Sequence, residues 1–207
     1  MSRAPTDPRA AEQRPAGLGL RPEDHRDHAA VRDIVERAFV DEPSVADLVG
    51  VLRADSAVAE GYSVVAELGG AVVGHVMLSR GWVDAPDRLV KVLVLSPLSV
   101  APEWQGQGIG AALVRHALGL AAEAGWPAVF LEGSPLYYSK FGFRRAGRLG
   151  FTAPSPRVPA AAFQVVTLPG HESWMTGALV YPDVFWRLDS VGLRGDALTE
   201  VLAALGE

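Results

Sequence analysis

Apolar residues recur along the chain with two periods, and the switches between them divide it into elements. Val31, Ile34, Val35, Ala38 and Phe39 fall on one helical face, with Asp24 or Asp27 available as a cap. Ser44-x-x-Asp47 resembles a capping box opening a second helix, whose apolar stripe is Val45, Leu48, Val49 and Leu52. Tyr62 to Leu68 reads as a strand, Gly69-Gly70 as a hairpin turn and Ala71 to Ser79 as the partner strand. After a loop at Asp84-Ala-Pro-Asp87 comes a long Val- and Leu-rich strand, Leu89 to Val100. Ile109, Leu113, Ala117 and Ala121 return to the helical period until Gly125, and Ala128 to Leu131 is a short buried strand. With Leu18-Gly-Leu-Arg-Pro as a first strand, the order is β-α-α-β-β-β-α-β.

The flanks are less regular. Met1 to about Ala16 is rich in Ala, Pro and Arg and is expected to be a disordered tail. The expected division is therefore a tail over 1–16, one domain over 17–186 and a helical extension over 187–207. Phe151 to Pro159 is a Pro-rich link, and Phe163 to Leu168 a late strand. Leu193, Ala197, Leu198, Val201, Leu202 and Leu205 share one face of a last helix, which must cover its own sheet or a second copy in a homodimer. Pro97 interrupts the long strand, because it cannot donate to a ladder. Either the strand ends at Leu95, or it bulges and splays from its neighbour. A splay frees backbone groups around Leu98, Ser99 and Val100 for an extended, amide-bearing ligand.

Composition narrows the chemistry. The 207 residues contain no cysteine, which excludes disulfides, thiolate metal sites and a cysteine nucleophile; no metal site is expected. The formal charge of −5 argues against broad nucleic-acid binding. No apolar run has membrane length and no signal-peptide core is apparent, so a cytoplasmic location is expected.

The chemistry concentrates after the long strand, in Gln105-Gly106-Gln107-Gly108-Ile109-Gly110-Ala111. Glycines alternate where a strand gives way to a helix, so successive N–H groups can converge on one anion at the positive end of the helix dipole. A phosphate or diphosphate is the natural guest. Gly106-x-Gly108-x-x-Ala111, with Glu132 about 20 residues on, fits a dinucleotide-binding turn. Gln105-x-x-Gly108-x-Gly110 equally resembles the acetyl-CoA loop of the GNAT superfamily of N-acetyltransferases. The Pro-Glu-Trp spacer before the loop and the hairpin pattern of the preceding strands favour the second reading.

A second motif strengthens that resemblance. Pro135 suits an early helix position and Gly142 an exit, and Tyr138-Ser-Lys-Phe-Gly-Phe143 resembles the Tyr-x-Lys-x-Gly-Phe signature on the fourth GNAT helix. Pro135-x-Tyr-Tyr-x-x-Phe-Gly-Phe143 and Tyr181-Pro-x-x-Phe185 are similar to a bacterial subgroup of small N-acetyltransferases. The resemblance implies an α/β fold of the α+β type. Its sheet is mixed and mostly antiparallel, splayed at the fourth strand, with helices on both faces. It further implies acetyl-CoA as cosubstrate, bound by Leu98, Ser99, Val100 and Gln105 through Ala111, and direct transfer to the amine of a small molecule or peptide. Tyr138 then matches the general acid that protonates the departing thiolate.

The base is open. Glu67, His75 and Glu132 are candidates at strand positions, Glu103 lies in a loop where solvation is expected, and a water chain would serve instead; the long strand carries Lys91 and no acid. Arg115 and Lys140 are placed to approach phosphates. Trp174, Tyr181, Phe185 and Trp186 either wall an acceptor pocket or pack the core. The rival from another class is a catalytically silent acyl-CoA-binding or interaction module.

Overall fold

The computed structural model describes residues 14–54, 62–193 and 195–205; most of the expected tail lies outside them. Among the described residues, eight strands form one sheet. They are β1 (Gly19–Pro22), β2 (Tyr62–Leu68), β3 (Ala71–Asp84), β4 (Leu89–Val100), β5 (Ala128–Glu132), β6 (Arg144–Arg145), β7 (Phe163–Thr167) and β8 (Ala178–Val180). Their order is β1-β2-β3-β4-β5-β7-β6, with β8 paired to the far end of β3. Every pairing between these strands is antiparallel except β4–β5.

Alternation along the strands supplies two apolar faces. Val65, Met77, Val94 and Phe130 point to one face, where α1 (His28–Ala38) and α2 (Ser44–Ala54) bury Val31, Val35, Leu48 and Leu52. Val64, Val76, Leu93 and Val129 point to the other, where α3 (Ile109–Glu123) buries Ile109, Leu113, Ala117 and Ala121. Helices thus cover both faces, as the resemblance implies. The β2–β3 hairpin turns at Gly69 and Gly70, both at positive φ, 59° and 83°.

The break in the sheet lies at β4. Val76 of β3 faces Leu98, yet Leu78 faces Leu95, so β4 carries one extra residue at Ser96-Pro97. This is a bulge, and β4 continues beyond it to Val100 instead of ending at Leu95. On the other side, Leu93 and Val94 pair in parallel with Val129 and Phe130, and the ladder goes no further. Beyond that point β4 and β5 diverge and leave a gap open at one end of the sheet.

The remaining elements close this end. α4 (Pro135–Tyr138) continues as a 3-10 turn, Ser139–Phe141, and leaves through Gly142 at φ 89°. α5 (Asp183–Arg187) buries Val184 and Phe185. In α6 (Gly195–Leu205), Val201 packs on Ala161 and Ala162, with Leu193 beside them, so this last helix lies on its own chain.

Candidate active site

The glycine segment carries the first half of the site. Gly106 and Gly108 take φ of 75° and 78°, the left-handed region that side chains disfavour, and Gly108 caps α3 without a side-chain bond. Ala112 is the first residue after the turn whose N–H reaches a carbonyl, that of Gly108. Among the described residues, the N–H groups of Gly106, Gln107, Gly108, Ile109, Gly110 and Ala111 have no partner. The turn's own side chains brace it from outside. Gln105 Nε2 donates to Val100 O at 3.0 Å, and Gln107 Nε2 to Glu103 O at 3.3 Å. Trp104 packs beside α3.

These amides open into a groove of about 350 Å³ floored by Leu98 and Val100 and bordered by Tyr137 and Lys140. Because Ala101 N–H donates to Val73 O, strand alternation turns the amide of Ser99 toward β3 and those of Leu98 and Val100 into the gap. Ser99 thus differs from the sequence expectation: its backbone lies in the ladder, and its buried side chain has no partner among the described residues. Arg115 and Lys140 converge on this border, at 5.4 Å and 5.2 Å from the Phe141 ring centroid, with Lys140 Nζ also 4.1 Å from that of Tyr137. Burial, then Arg115, lowers the Lys140 pKa.

Leu98 and Tyr137 also line a second, larger cavity of about 930 Å³, so the two spaces meet at these side chains. Tyr138 lines the larger one. Its ring packs on Phe143, 5.7 Å between centroids, and lies so close to Gly133 that a Cβ there would sit 2.7 Å from it. Burial pushes its phenol well above the ordinary pKa, with Tyr137 adding to the effect. Neither tyrosine hydroxyl has a hydrogen-bond partner among the described residues, so both are available to a guest.

The candidate bases separate by position. His75 is fully buried on β3 opposite Ser99, with Nε2 2.8 Å from Ser63 Oγ and 3.9 Å from Glu23 Oε2; burial lowers its pKa to about 4. Glu67 pairs with Arg21 at 2.8 Å, and Glu103 with Arg37 at 2.9 Å. None of these three reaches the cavity. Glu132 does, from the C-terminal end of β5. Its Oε1 accepts from Tyr181 Oη at 2.8 Å and its Oε2 from Gly192 N at 3.0 Å. Burial pushes its pKa up to about 6 against the opposing pull of Tyr181, Gly192 N–H and Arg157. It therefore faces neither the glycine turn nor a ribose site, as the dinucleotide reading requires.

Two supports escaped the sequence reading. Buried Gln164 donates to Gly133 O at 2.9 Å, and Gly133 N donates to Ala162 O, which fix the link between Glu132 and Tyr138. Tyr181 and Phe185 stack at 4.8 Å and wall the larger cavity while remaining core residues, so they fill both suggested roles. Trp174 packs against the core with Arg88 over its outer face, and Trp186 is exposed. No metal-binding group occurs among the described residues, and no helix there is long and apolar enough to cross a membrane.

Comparison with known proteins places this arrangement. Residues 21–143 match the model of the Acetyltransferase (GNAT) family. The Escherichia coli K12 protein described as "Uncharacterized N-acetyltransferase YjhQ" is 33% identical over 162 residues, 72% of this chain and 87% of that protein. YhbS of the same strain is 31% identical, covering 78% and 94%. The crystal structure of Escherichia coli YhbS in complex with CoA aligns over 89% of this chain and 97% of its own, with a TM-score of 0.73 and 30% identity. A GNAT acetyltransferase from Brucella melitensis in complex with acetyl-CoA aligns over 81% and 97%, with a TM-score of 0.66 and 29% identity. An amide-lined glycine turn, a sheet parted at β4 and β5, and these matches lead to one conclusion: the chain belongs to the GNAT acetyltransferase family.

Proposed function

We propose that this protein is an N-acetyltransferase that moves the acetyl group of acetyl-CoA directly to an amine. The observation that carries the reading is the row of unpartnered amides from Gly106 to Ala111, in a groove that shares Leu98 and Tyr137 as lining residues with the cavity lined by Tyr138. Relatives of the same fold crystallised with CoA and acetyl-CoA support it.

The residues present fit the cosubstrate. Convergent N–H groups at the start of α3 suit a diphosphate, and Arg115 and Lys140 add positive charge beside it. An extended chain carrying amides can bond the backbone N–H and C=O of Leu98 and the N–H of Val100, as a neighbouring strand would. That path brings the thioester to the junction with the larger cavity, where an N–H on β4 faces the oxygen that gains negative charge.

The acceptor nitrogen attacks the carbonyl carbon through its lone pair, forming N–C as C–S breaks with its electron pair going to sulfur. Tyr138 gives its proton to that sulfur, and the proton lost as the amide forms restores the phenol. Because burial raises the Tyr138 pKa, the phenol stays protonated across neutral pH. The test is calorimetric titration of CoA beside an assay of free-thiol release with acetyl-CoA and an amine panel. CoA binding in the micromolar range with amine-dependent release is expected; no CoA binding by the folded protein would overturn the reading.

A further inference from the structure

On the side of the sheet that α1 and α2 cover, a run of polar side chains crosses the strands in order. It passes from Arg53 at the end of α2 to Glu23 after β1, then to Ser63 on β2 and His75 on β3. Each link is made. Arg53 pairs with the Glu23 carboxylate, Ser63 Oγ donates to Glu23 Oε2 at 2.5 Å, and His75 Nε2 lies 2.8 Å from Ser63 Oγ. Ser99 on β4 stands directly across the ladder from His75, so the two side chains share this face. Both residues are buried, and among the described residues neither His75 Nδ1 nor Ser99 Oγ has a partner.

The donors fix where the protons lie. Ser63 has a single hydroxyl proton and gives it to a carboxylate already paired with a guanidinium, so its oxygen accepts from the imidazole. His75 therefore carries its proton on Nε2 and is bare on Nδ1, and burial keeps the ring neutral. Nδ1 is an acceptor, and the hydroxyl of Ser99 is the donor across from it. Left unbonded, each would lose on folding the hydrogen bond that water supplies in the open chain.

This pair sits just past the bulge. Ser96-Pro97 adds one residue to β4, so the pairing of Leu98, Ser99 and Val100 with β3 is set afresh, and a slip by one residue would exchange the two faces. Leu98 and Val100 pack on the α3 side. On the opposite side Ser99 offers little apolar surface to resist such a slip, and a hydrogen bond is what its side chain can contribute.

Resting on the acyl-transfer reading above, we infer that Ser99 Oγ–H donates to His75 Nδ1, in contact or through one water, and that this bond holds the amides of Leu98 and Val100 where CoA meets them. Ser99 and His75 are positioning residues: neither lines the groove, and both act through the backbone on either side of Ser99. The hydroxyl and imidazole protons of Ser99, His75 and Ser63 then all point from β4 toward Glu23, which Arg53 neutralises at the far end.

The test compares Ser99→Thr with Ser99→Val in the full chain, two side chains of one shape that differ by a hydroxyl for a methyl. Calorimetric titration of CoA is expected to give Ser99→Thr a Kd within about threefold of the parent and Ser99→Val a Kd at least about tenfold weaker. Long-range proton–nitrogen correlation spectra of protein labelled at histidine read the ring directly, with His75 identified by its loss in His75→Gln. The parent is expected to show Nε2 protonated and Nδ1 bare, and Nδ1 to move downfield in Ser99→Val as its hydrogen bond disappears, a signature that packing alone would not produce. A proton on Nδ1 of the parent, an unmoved Nδ1 in Ser99→Val, or equal CoA affinity in the two variants overturns the inference. If Ser99→Val does not fold, the Nδ1 resonance in Ser99→Ala decides by the same criterion. Failure of the parent itself to bind CoA is a separate result: it removes the acyl-transfer reading, and the positioning role with it, whatever the imidazole protons show.

Discussion

A Cβ built on Gly110 would lie 2.7 Å from the hydroxyl oxygen of Tyr137, so the first turn of α3 and the phenol of α4 meet with no room for a side chain between them. The contact stands where the amide-lined groove joins the larger cavity. Gly110→Ala therefore displaces the Tyr137 hydroxyl at the border of the groove, although the φ of this residue is ordinary for any side chain. The clash falls on the far end of the Tyr137 side chain, which can swing aside with little change in thermal midpoint, while its displacement at the groove border is expected to weaken the Kd for CoA roughly tenfold, about 1.4 kcal/mol. Calorimetric titration checks it, and unchanged affinity would separate this junction from the CoA path.

Tyr138→Phe keeps the ring against Phe143 and Gly133 and removes only the proton. The expected outcome is a fall in kcat of about 100-fold or more at neutral pH with CoA affinity preserved. The loss should be much smaller with a thioester whose thiol is more acidic, because such a leaving group needs less protonation. Steady-state kinetics with the two donors measures both effects.

Glu132 also carries a stability consequence with a definite sign. Its folded pKa, about 6, lies above the ordinary 4.5, so the folded state binds more protons between these values. Its contribution to stability is greatest below about pH 4.5 and is lost as the pH rises through about 6. Glu132→Gln keeps a partner for Tyr181 and for Gly192 N–H without the buried charge. The variant is expected to melt higher than the parent at pH 8, with the gap closing toward pH 4.5; differential scanning calorimetry over that range decides.

His75 gives the reverse slope. Burial lowers its pKa from 6.5 to about 4, so the unfolded chain binds the extra proton between these values. Its contribution is fully present above about pH 6.5 and is lost as the pH falls toward 4, on the order of 3 kcal/mol over the interval. His75→Gln should flatten that part of the stability profile, measured by urea unfolding at several pH values. Nearby Glu23, its side chain 3% exposed, pairs with Arg53, so Arg53→Met leaves a buried charge and is expected to cost about 3 kcal/mol.

The sequence disclosed the site unevenly, for physical reasons. The turn before α3 and the place of Tyr138 on α4 were legible because each motif is local, and a run of N–H groups or one phenol needs only its own neighbours to be placed. The hairpin at Gly69-Gly70 and the long β4 were legible from alternation and turn chemistry. The extension of β3 to Asp84 was hidden by Arg80-Gly81, which reads as a break. In the fold Gly81 is a packing position, where a Cβ would come within 3.1 Å of Val94. β6 and β8 are too short to carry a period, and ladder partners define them. The Tyr181–Glu132 bond could not be read because it depends on how the chain returns after β8. No pattern in either segment announces the other.

The parting of β4 from β5 has a consequence for motion. A continuous sheet transmits strain through main-chain bonds from edge to edge, but here β1–β4 and β5–β7 are joined by a single short parallel seam at Leu93 and Val94. The two halves form a pair of leaves on a common spine. A guest threaded between them and bonded to both stiffens the whole. Amide hydrogen exchange should therefore slow on Leu98 and Val100 when CoA is present, and the slowing should reach across the seam into β5.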